Sequence, residues 1–321
     1  MSNIIYNNSS FDVTEGNSVL DTLLKAGIPV PFSCRSGVCQ SCLMTLEAGE
    51  VPTQALEGLN GEQLAQQLFL SCCCYPQQDL SVRHYDPRAN GVTAQVVSKR
   101  LLSQSVLELT LDAAIAYQAG QHTNLWRNEK ITRCYSIASI PSDPHLRFHI
   151  TLQPNGQFSQ WAWQSLQPGD PLTLQEARGE CYYQTDNPSQ PLLLAGTGTG
   201  LAPLQAITRA ALEAGHRGEI TLIMGGRNDT DLYFNEPLLQ LEREHDNVRC
   251  IQLAQRLSSP NANNVRQADI YQYVKEHFSD LNSHVVYLCG ADTFVRKMRK
   301  QCFFAGVKPR NVYSDTFLPA N

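Results

Sequence analysis

Apolar and polar positions change rhythm twice along the 321-residue chain, dividing it into three stretches. In residues 1–86 two short β-like runs, Ile4–Tyr6 and Phe11–Val13, precede a stretch with helical spacing. Ser18 stands at its N-cap, Asp21 in capping-box register, and Gly27 closes it. A cysteine-rich loop follows, and then "DLSVRHY" alternates as a strand does. Residues 92–185 carry the period-two runs "TAQVVSKR", "VLELTLD", "LRFHITLQ" and "PLTLQEA", separated by turn residues, the pattern of an antiparallel barrel or sandwich. From residue 190 apolar β runs ("PLLLAG", "EITLIMGG", "VRCIQLA", "HVVYLCG") alternate with helical stretches ("LAPLQAITRAALEAG", "QADIYQYVKEHF", "ADTFVRKMRKQCFFAG"). That alternation predicts a parallel sheet with helices on both faces. Pro, Asn and Gly together mark "DPRANG", 86–91, as a linker.

Composition narrows the class. Apolar residues make up 42% and charged residues 17%, as in ordinary globular proteins. No apolar run has the length of a membrane span, so no membrane partner is expected. "MSNIIYNNSS" lacks the basic end and apolar core of a secretory signal, which makes the cytoplasm the expected compartment. Eleven cysteines there are expected to be thiols or metal ligands rather than a disulfide frame. Net charge is −5, and all of that excess lies in residues 1–88, with nine acidic against four basic side chains. A nucleic-acid partner, which would need a basic face, is not expected.

Cys34, Cys39 and Cys42 stand in C-x4-C-x2-C spacing, with Cys72, Cys73 and Cys74 some 30 positions later. That is the spacing of a plant-type 2Fe-2S ferredoxin. Thiolates around two irons and two sulfides carry net negative charge, so backbone N–H groups must turn inward. Gly37 lets the loop wrap, and Ser33, Arg35 and Ser41 can add donors. The alternative is a zinc knot or a set of buried thiols, although zinc sites usually pair two C-x2-C units. Spacing alone does not choose among the three adjacent cysteines. "PFSCRSGVCQSC" followed by "LSC…YP" resembles the ferredoxin family, and that resemblance implies Cys72 as the fourth ligand.

"ITRCYSIAS" holds Arg133-Cys134-Tyr135-Ser136, with "AGQHTNL" upstream and "NGQFSQW" downstream. Alone, R-x-Y-S reads as a strand with one buried Tyr. In this order the pieces resemble the flavin domain of the ferredoxin-NADP reductase family. The resemblance implies Arg133 on a flavin pyrophosphate, Tyr135 as an aromatic wall and Ser136 at the N5 edge. Gly156 and Ser159 match the family's G-x-x-S turn, which can hold phosphate. Domain order favours FAD over FMN.

"LLLAGTGTGLAPL" runs from a strand through a Gly-rich turn into a helix, where Gly196, Gly198 and Gly200 leave room for a pyrophosphate. Leu201 takes the place of the third glycine of G-x-G-x-x-G; the turn instead resembles the reductase family's G-x-G-x-G-x-x-P, with Pro203. Cys289 and Gly290 end a strand at the edge where ligands gather in such sheets. The family places this cysteine near nicotinamide C4; a merely buried thiol is the alternative. "YSDTFLPAN" resembles the family's acid-x-aromatic ending, with Asp315 where Glu is usual and Phe317 as the ring that covers the flavin. In "GGRNDTDLYF", Arg227 could bind a 2′-phosphate or be a solvated surface charge, while Asp231 suits a ribose hydroxyl. The stretch is similar to NADH-using reductases, so NADH is expected, with NADPH as the other possibility.

Together the resemblances imply an α+β ferredoxin-like (β-grasp) domain in 1–88, an antiparallel β-barrel FAD domain in 89–188 and an α/β doubly wound nucleotide domain in 189–321. They imply an electron-transfer reductase component: NADH gives two electrons, FAD divides them, and a 2Fe-2S cluster relays them singly to a transient partner, most naturally a terminal oxygenase. The same path could feed a non-oxygenase acceptor such as a deoxysugar dehydratase. A zinc-binding structural protein on a vestigial reductase fold is the reading from a different class.

Overall fold

A computed structural model describes residues 2–86, 88, 91–233, 235–259 and 264–318. The linker expected at 86–91 falls partly outside them, at residues 87, 89 and 90.

The first sheet is built from β1 (Asn3–Tyr6), β2 (Ser9–Asp12), β3 (Leu43–Ala48), β4 (Leu68–Leu70) and β5 (Leu80–His84), with helices α1 (Val19–Lys25) and α2 (Gly61–Ala65). Strand order is β2-β1-β5-β3-β4, and the central pair β1 and β5 runs parallel while the rest are antiparallel. Helix α1 starts where predicted: Ser18 Oγ accepts from the Asp21 N–H at 3.1 Å, and the Asp21 carboxylate accepts from the Ser18 N–H. Gly27, at φ 78°, follows its last turn. Val19, Leu20 and Leu23 are buried in one core with Met44, Phe69 and Leu80.

The second sheet holds β6 (Val92–Leu101), β7 (Val106–Asp112), β8 (His122–Trp126), β9 (Thr132–Ser136), β10 (Leu146–Thr151) and β11 (Pro171–Leu174), with α3 (Gln157–Gln164). The order is β10-β7-β6-β11-β8-β9, antiparallel throughout. Ile137, just past β9, bridges Phe148 of β10 and so closes the sheet into a barrel. Leu109, Leu125, Phe148, Phe158 and Leu174 fill it.

The third sheet is parallel, in the order β15-β14-β13-β12-β16-β17. Its elements are β12 (Leu192–Thr197), α4 (Leu201–Glu213), β13 (Ile220–Asn228), α5 (Asn235–Glu244), β14 (Val248–Arg256), β15 (Val265–Gln267), α6 (Ile270–His277), β16 (Val285–Ala291), α7 (Asp292–Phe304) and β17 (Val312–Phe317). Helices α4 and α5 pack on one face, α6 and α7 on the other. Strand order reverses at β12, which places the Gly-rich turn at the switch point. Three elements go beyond the sequence expectation, one of them the short edge strand β15. Helix α5 was not foreseen, and the C-terminal motif is itself a strand, β17, laid parallel to β16 with Asp315 opposite Cys289.

The barrel and the parallel sheet are clamped together. Arg209 of α4 donates twice to Asp143, at 2.7 Å each, and Arg147 donates to the same carboxylate. Burial opposes ionisation of Asp143, but the bonds from Arg209, the Ile140 N–H and Arg147 prevail and hold it well below the usual carboxylate range. His149 Nδ1 and the Tyr233 hydroxyl make a second, buried contact at 2.9 Å.

Candidate electron-transfer site

The cysteine loop is shaped by its flanking strands. Antiparallel pairing of Leu43 with Leu70 brings Cys42, just before β3, beside Cys72, just after β4. Ser71 reinforces this by donating from both its N–H and its hydroxyl to the Cys42 carbonyl, at 3.2 and 2.7 Å. At the other end, Cys34 and Cys39 face each other. The Cys39 N–H lies 3.3 Å from Cys34 Sγ, and the Cys34 and Ser36 N–H groups point at sulfurs at 3.4 Å. Ser41 Oγ is 3.1 Å from Cys39 Sγ. Arg35, Gly37 and Gln40 take positive φ to turn the N–H groups inward. Gly37 has φ 81°, and a Cβ there would sit 3.1 Å from Cys73 Sγ, so a larger residue would strain the backbone and push that neighbour aside. Arg35, expected as a donor to sulfur, instead pairs with Asp21 of α1 at 2.6 Å.

Each pair titrates as a unit. The hydrogen bond from Cys39 pulls the Cys34 thiol down to about 5, and Cys72 lowers Cys42 in the same way. Among the described residues no three His, Cys, Asp or Glu side chains converge as one metal ion requires. Two pairs of thiols, ringed by inward N–H groups, fit a binuclear centre with two thiolates per iron; they do not fit a zinc knot. Cys73 is half-buried, 3.6 Å from Cys72 Sγ, and Cys74 lies in the apolar core.

The β8–β9 ribbon forms the next part of the site. Its rungs pair His122 with Ser136, Asn124 with Cys134 and Trp126 with Thr132. Ser136 Oγ donates to Asp315 Oδ2 at 2.7 Å, across 179 residues of sequence, and His122 Nδ1 lies 3.9 Å from the other Asp315 oxygen. Three buried polar atoms on alternate residues of β8, His122 Nε2, Asn124 Oδ1 and Trp126 Nε1, have no hydrogen-bond partner among the described residues. Buried polar groups are normally satisfied, so this row suits a ligand rich in polar edges, as a flavin is. Sequence reasoning missed all three residues, because "QHTN" is polar throughout and the strand is buried along its whole length, so no alternation marks a ligand-facing side.

Arg133 donates to the carbonyls of Phe32 and Thr132 at 3.2 and 2.7 Å, and burial lowers its pKa. It has no carboxylate partner among the described residues, so its charge can serve a phosphate. The Tyr135 ring lies 5.5 Å from Phe158, and burial raises its hydroxyl pKa. Gly156 is the N-cap of α3, where a Cβ would meet Ser159 Oγ at 2.4 Å. The Ser159 hydroxyl is taken by its own loop, accepting from the Gln153 N–H and donating to the Gly156 carbonyl.

At the sheet edge most of the glycines serve strand packing. A Cβ on Gly200 or Gly196 would meet the Cys289 carbonyl, at 2.2 or 3.0 Å, and one on Gly290 would meet Thr197 Oγ1 at 2.5 Å. Gly198 differs: its φ is 55°, and the space around its Cβ position is open. Pro203 is buried in the first turn of α4. Cys289 is buried 3.7 Å from Cys181 Sγ, and burial raises its pKa. Phe317 stands opposite Ala291 at the end of β17 and is half-buried. Arg227 is exposed at the end of β13, while Asp231 caps the following turn by accepting from the Asn228 N–H at 2.9 Å.

Comparison with known proteins agrees with this architecture. Residues 4–77 match the 2Fe-2S iron-sulfur cluster binding domain, and residues 194–300 match the oxidoreductase NAD-binding domain. Protein RfbI of Salmonella typhimurium is 30% identical, over 99% of this chain and 96% of its own. Reductase component 2 of terephthalate 1,2-dioxygenase from Comamonas is 29% identical over 96% and 94%. Among solved structures, the Amycolatopsis cytochrome P450 reductase GcoB aligns over the full length of both chains, with TM-score 0.69 and 25% identity. The chain therefore belongs to the ferredoxin-NAD(P) reductase family, in the branch that carries an N-terminal 2Fe-2S domain. It is an NAD(P)H-dependent electron-transfer oxidoreductase with FAD and a 2Fe-2S cluster as cofactors. No described helix is long and apolar enough to cross a membrane.

Proposed function

We propose that this protein oxidises NADH and delivers single electrons to the terminal component of an oxygenase, as the names of its dioxygenase and monooxygenase relatives suggest. Three modules, 1–88, 89–188 and 189–321, divide the work. Bound flavin supplies the conversion of a two-electron donation into single electrons, and the cluster supplies a one-electron carrier.

The chain's own residues do the holding and orienting. Cys34, Cys39, Cys42 and Cys72 ligate the cluster. Arg133 holds the flavin pyrophosphate, Tyr135 walls the ring, and Ser136, oriented by Asp315, is the hydrogen-bonding group for its N5 edge. Gly156 and Ser159 act indirectly by fixing the start of α3. Gly198 leaves the open space for a dinucleotide at the start of α4, Gly196 and Gly200 let the turn pack against Cys289 beside it, and Pro203 fixes the first turn of the helix. Cys289 and Gly290 shape the nicotinamide end, Phe317 covers it, and Asp231 with the exposed Arg227 borders the ribose end. Asp231 beside Arg227 favours NADH over NADPH, because a carboxylate repels a 2′-phosphate.

The partner meets the cluster loop where it faces solvent. Val38, between two ligands, is 56% exposed there, and the surrounding acidic module suits a basic partner in a short-lived encounter.

The observation that carries this proposal is the Ser136–Asp315 bond, which joins the flavin strand to the nicotinamide edge on a ribbon that also carries the cluster loop. Cys39→Ser tests the division of labour. Cytochrome c reduction should be lost while NADH still reduces a two-electron dye; loss of both activities contradicts the proposal.

A further inference from the structure

We infer that Asn124 is a positioning residue for internal electron transfer, locking the cluster loop onto the β8–β9 ribbon on the same face as Ser136, two residue pairs along. The inference rests on the electron path proposed above and adds the residue that fixes its length.

Asn124 is 3% exposed. Its Nδ2 donates to the carbonyl of Cys39 at 2.7 Å and to Gln175 Oε1 at 2.6 Å. Both amide hydrogens thus meet oxygens, which settles which end of the side chain is nitrogen. The Cys39 carbonyl belongs to the residue whose sulfur faces Cys34, so this bond reaches the cluster site itself. Three contacts flank it: the Cys134 N–H on Ser33 Oγ at 3.2 Å, Arg133 on the Phe32 carbonyl, and the Arg178 guanidinium on the Gln40 side chain. Those three are only part-buried, whereas the Asn124 bond is buried at both ends. A buried carbonyl deprived of its donor penalises the docked state directly.

The placement determines a distance. His122 and Ser136 form the rung under Asp315, and Asn124 and Cys134 form the next rung on the same face, under the cluster loop. Successive same-face residues on a strand are about 6.8 Å apart. Electron transfer through protein weakens exponentially with separation, so a loop held about 6.8 Å along the ribbon from Ser136 has a short transfer, and a loop that lifts off does not.

Asn124→Asp is the first variant, because it keeps the size and the Oδ1 oxygen and replaces only the donor. Asn124→Leu, uncharged, separates docking from charge. Full-length protein loaded with flavin and cluster is mixed rapidly with NADH without oxygen, and the flavin and cluster bands are followed separately. The cluster phase should slow relative to the flavin phase in both variants, by up to the tenfold that ~1.4 kcal/mol of lost docking gives. The EPR spectrum of the reduced cluster should not change, and small-angle scattering should show a larger mean dimension. A cluster phase as fast as wild type in both variants, with unchanged dimensions, overturns the inference. If either variant loses a cofactor, the other decides alone by the same criterion. Should wild-type protein itself bleach flavin and never its cluster, the proposed path has failed rather than the role of Asn124.

Discussion

The cysteine loop and the Gly-rich turn both depend on glycine, but for opposite reasons. In the cysteine loop Gly37 and its positive-φ neighbours turn N–H groups toward sulfur, so the backbone itself forms the lining of the site. At the sheet edge Gly196, Gly200 and Gly290 allow β12 and β16 to pack end against end, and only Gly198 leaves open space for a ligand. One site is therefore assembled from a single local loop and two flanking strands. The other is assembled from segments far apart in sequence, joined by the Ser136–Asp315 bond. The local site should survive damage elsewhere, and the assembled one should not.

The sharpest way to break that contrast is Ser136→Ala. Removing the hydroxyl should lower kcat for NADH oxidation about 10²-fold, the lower end for a positioned proton-bearing group. KM for NADH and the EPR spectrum of the cluster should stay as they are. An altered cluster spectrum would show that the two sites are not independent.

Arg227→Ala should be milder. The side chain is exposed, so KM for NADH should change by less than about threefold, which corresponds to the small worth of an exposed charge. A rise well beyond that in steady-state kinetics would show that Arg227 holds NADH itself.

Smallest in effect on turnover is the clamp between barrel and parallel sheet. Hydrogen bonds depress the Asp143 pKa when the protein is folded, so its contribution is present above the unfolded carboxylate value and fades as pH falls through the folded one. Wild type should lose Tm as pH drops below about 4. Asp143→Asn should start about 2–4 °C lower at neutral pH for each ~1 kcal/mol lost, and should show a smaller acid-side decline, with the remainder coming from Asp21, Asp86 and Glu108. Identical pH profiles in differential scanning calorimetry would remove Asp143 from the clamp.

How much could be read from the sequence follows the same contrast. The strand runs 106–112 and 146–151, the α1 cap and the alternating third stretch all have local causes, and each forms where its periodicity put it. The cluster was legible because three candidate ligands, Cys34, Cys39 and Cys42, share one loop. Cys72 was chosen from its two neighbours through family resemblance, and the Leu43–Leu70 register that brings it beside Cys42 supports that choice. Asp315 was found only through family resemblance, because nothing near it in sequence reveals its bond to Ser136. His122 and Asn124 were missed because a five-residue strand buried along its whole length hides which polar side chains face a ligand and which face the core.

In the proposed path electrons run from the nicotinamide edge through flavin to the cysteine loop, all held along one ribbon. Anaerobic titration with NADH, followed by visible absorption and EPR, tests it most directly. Bleaching of both flavin and cluster bands, with a rhombic signal from one reduced 2Fe-2S centre, is the predicted result. Flavin bleaching with no cluster signal would contradict it.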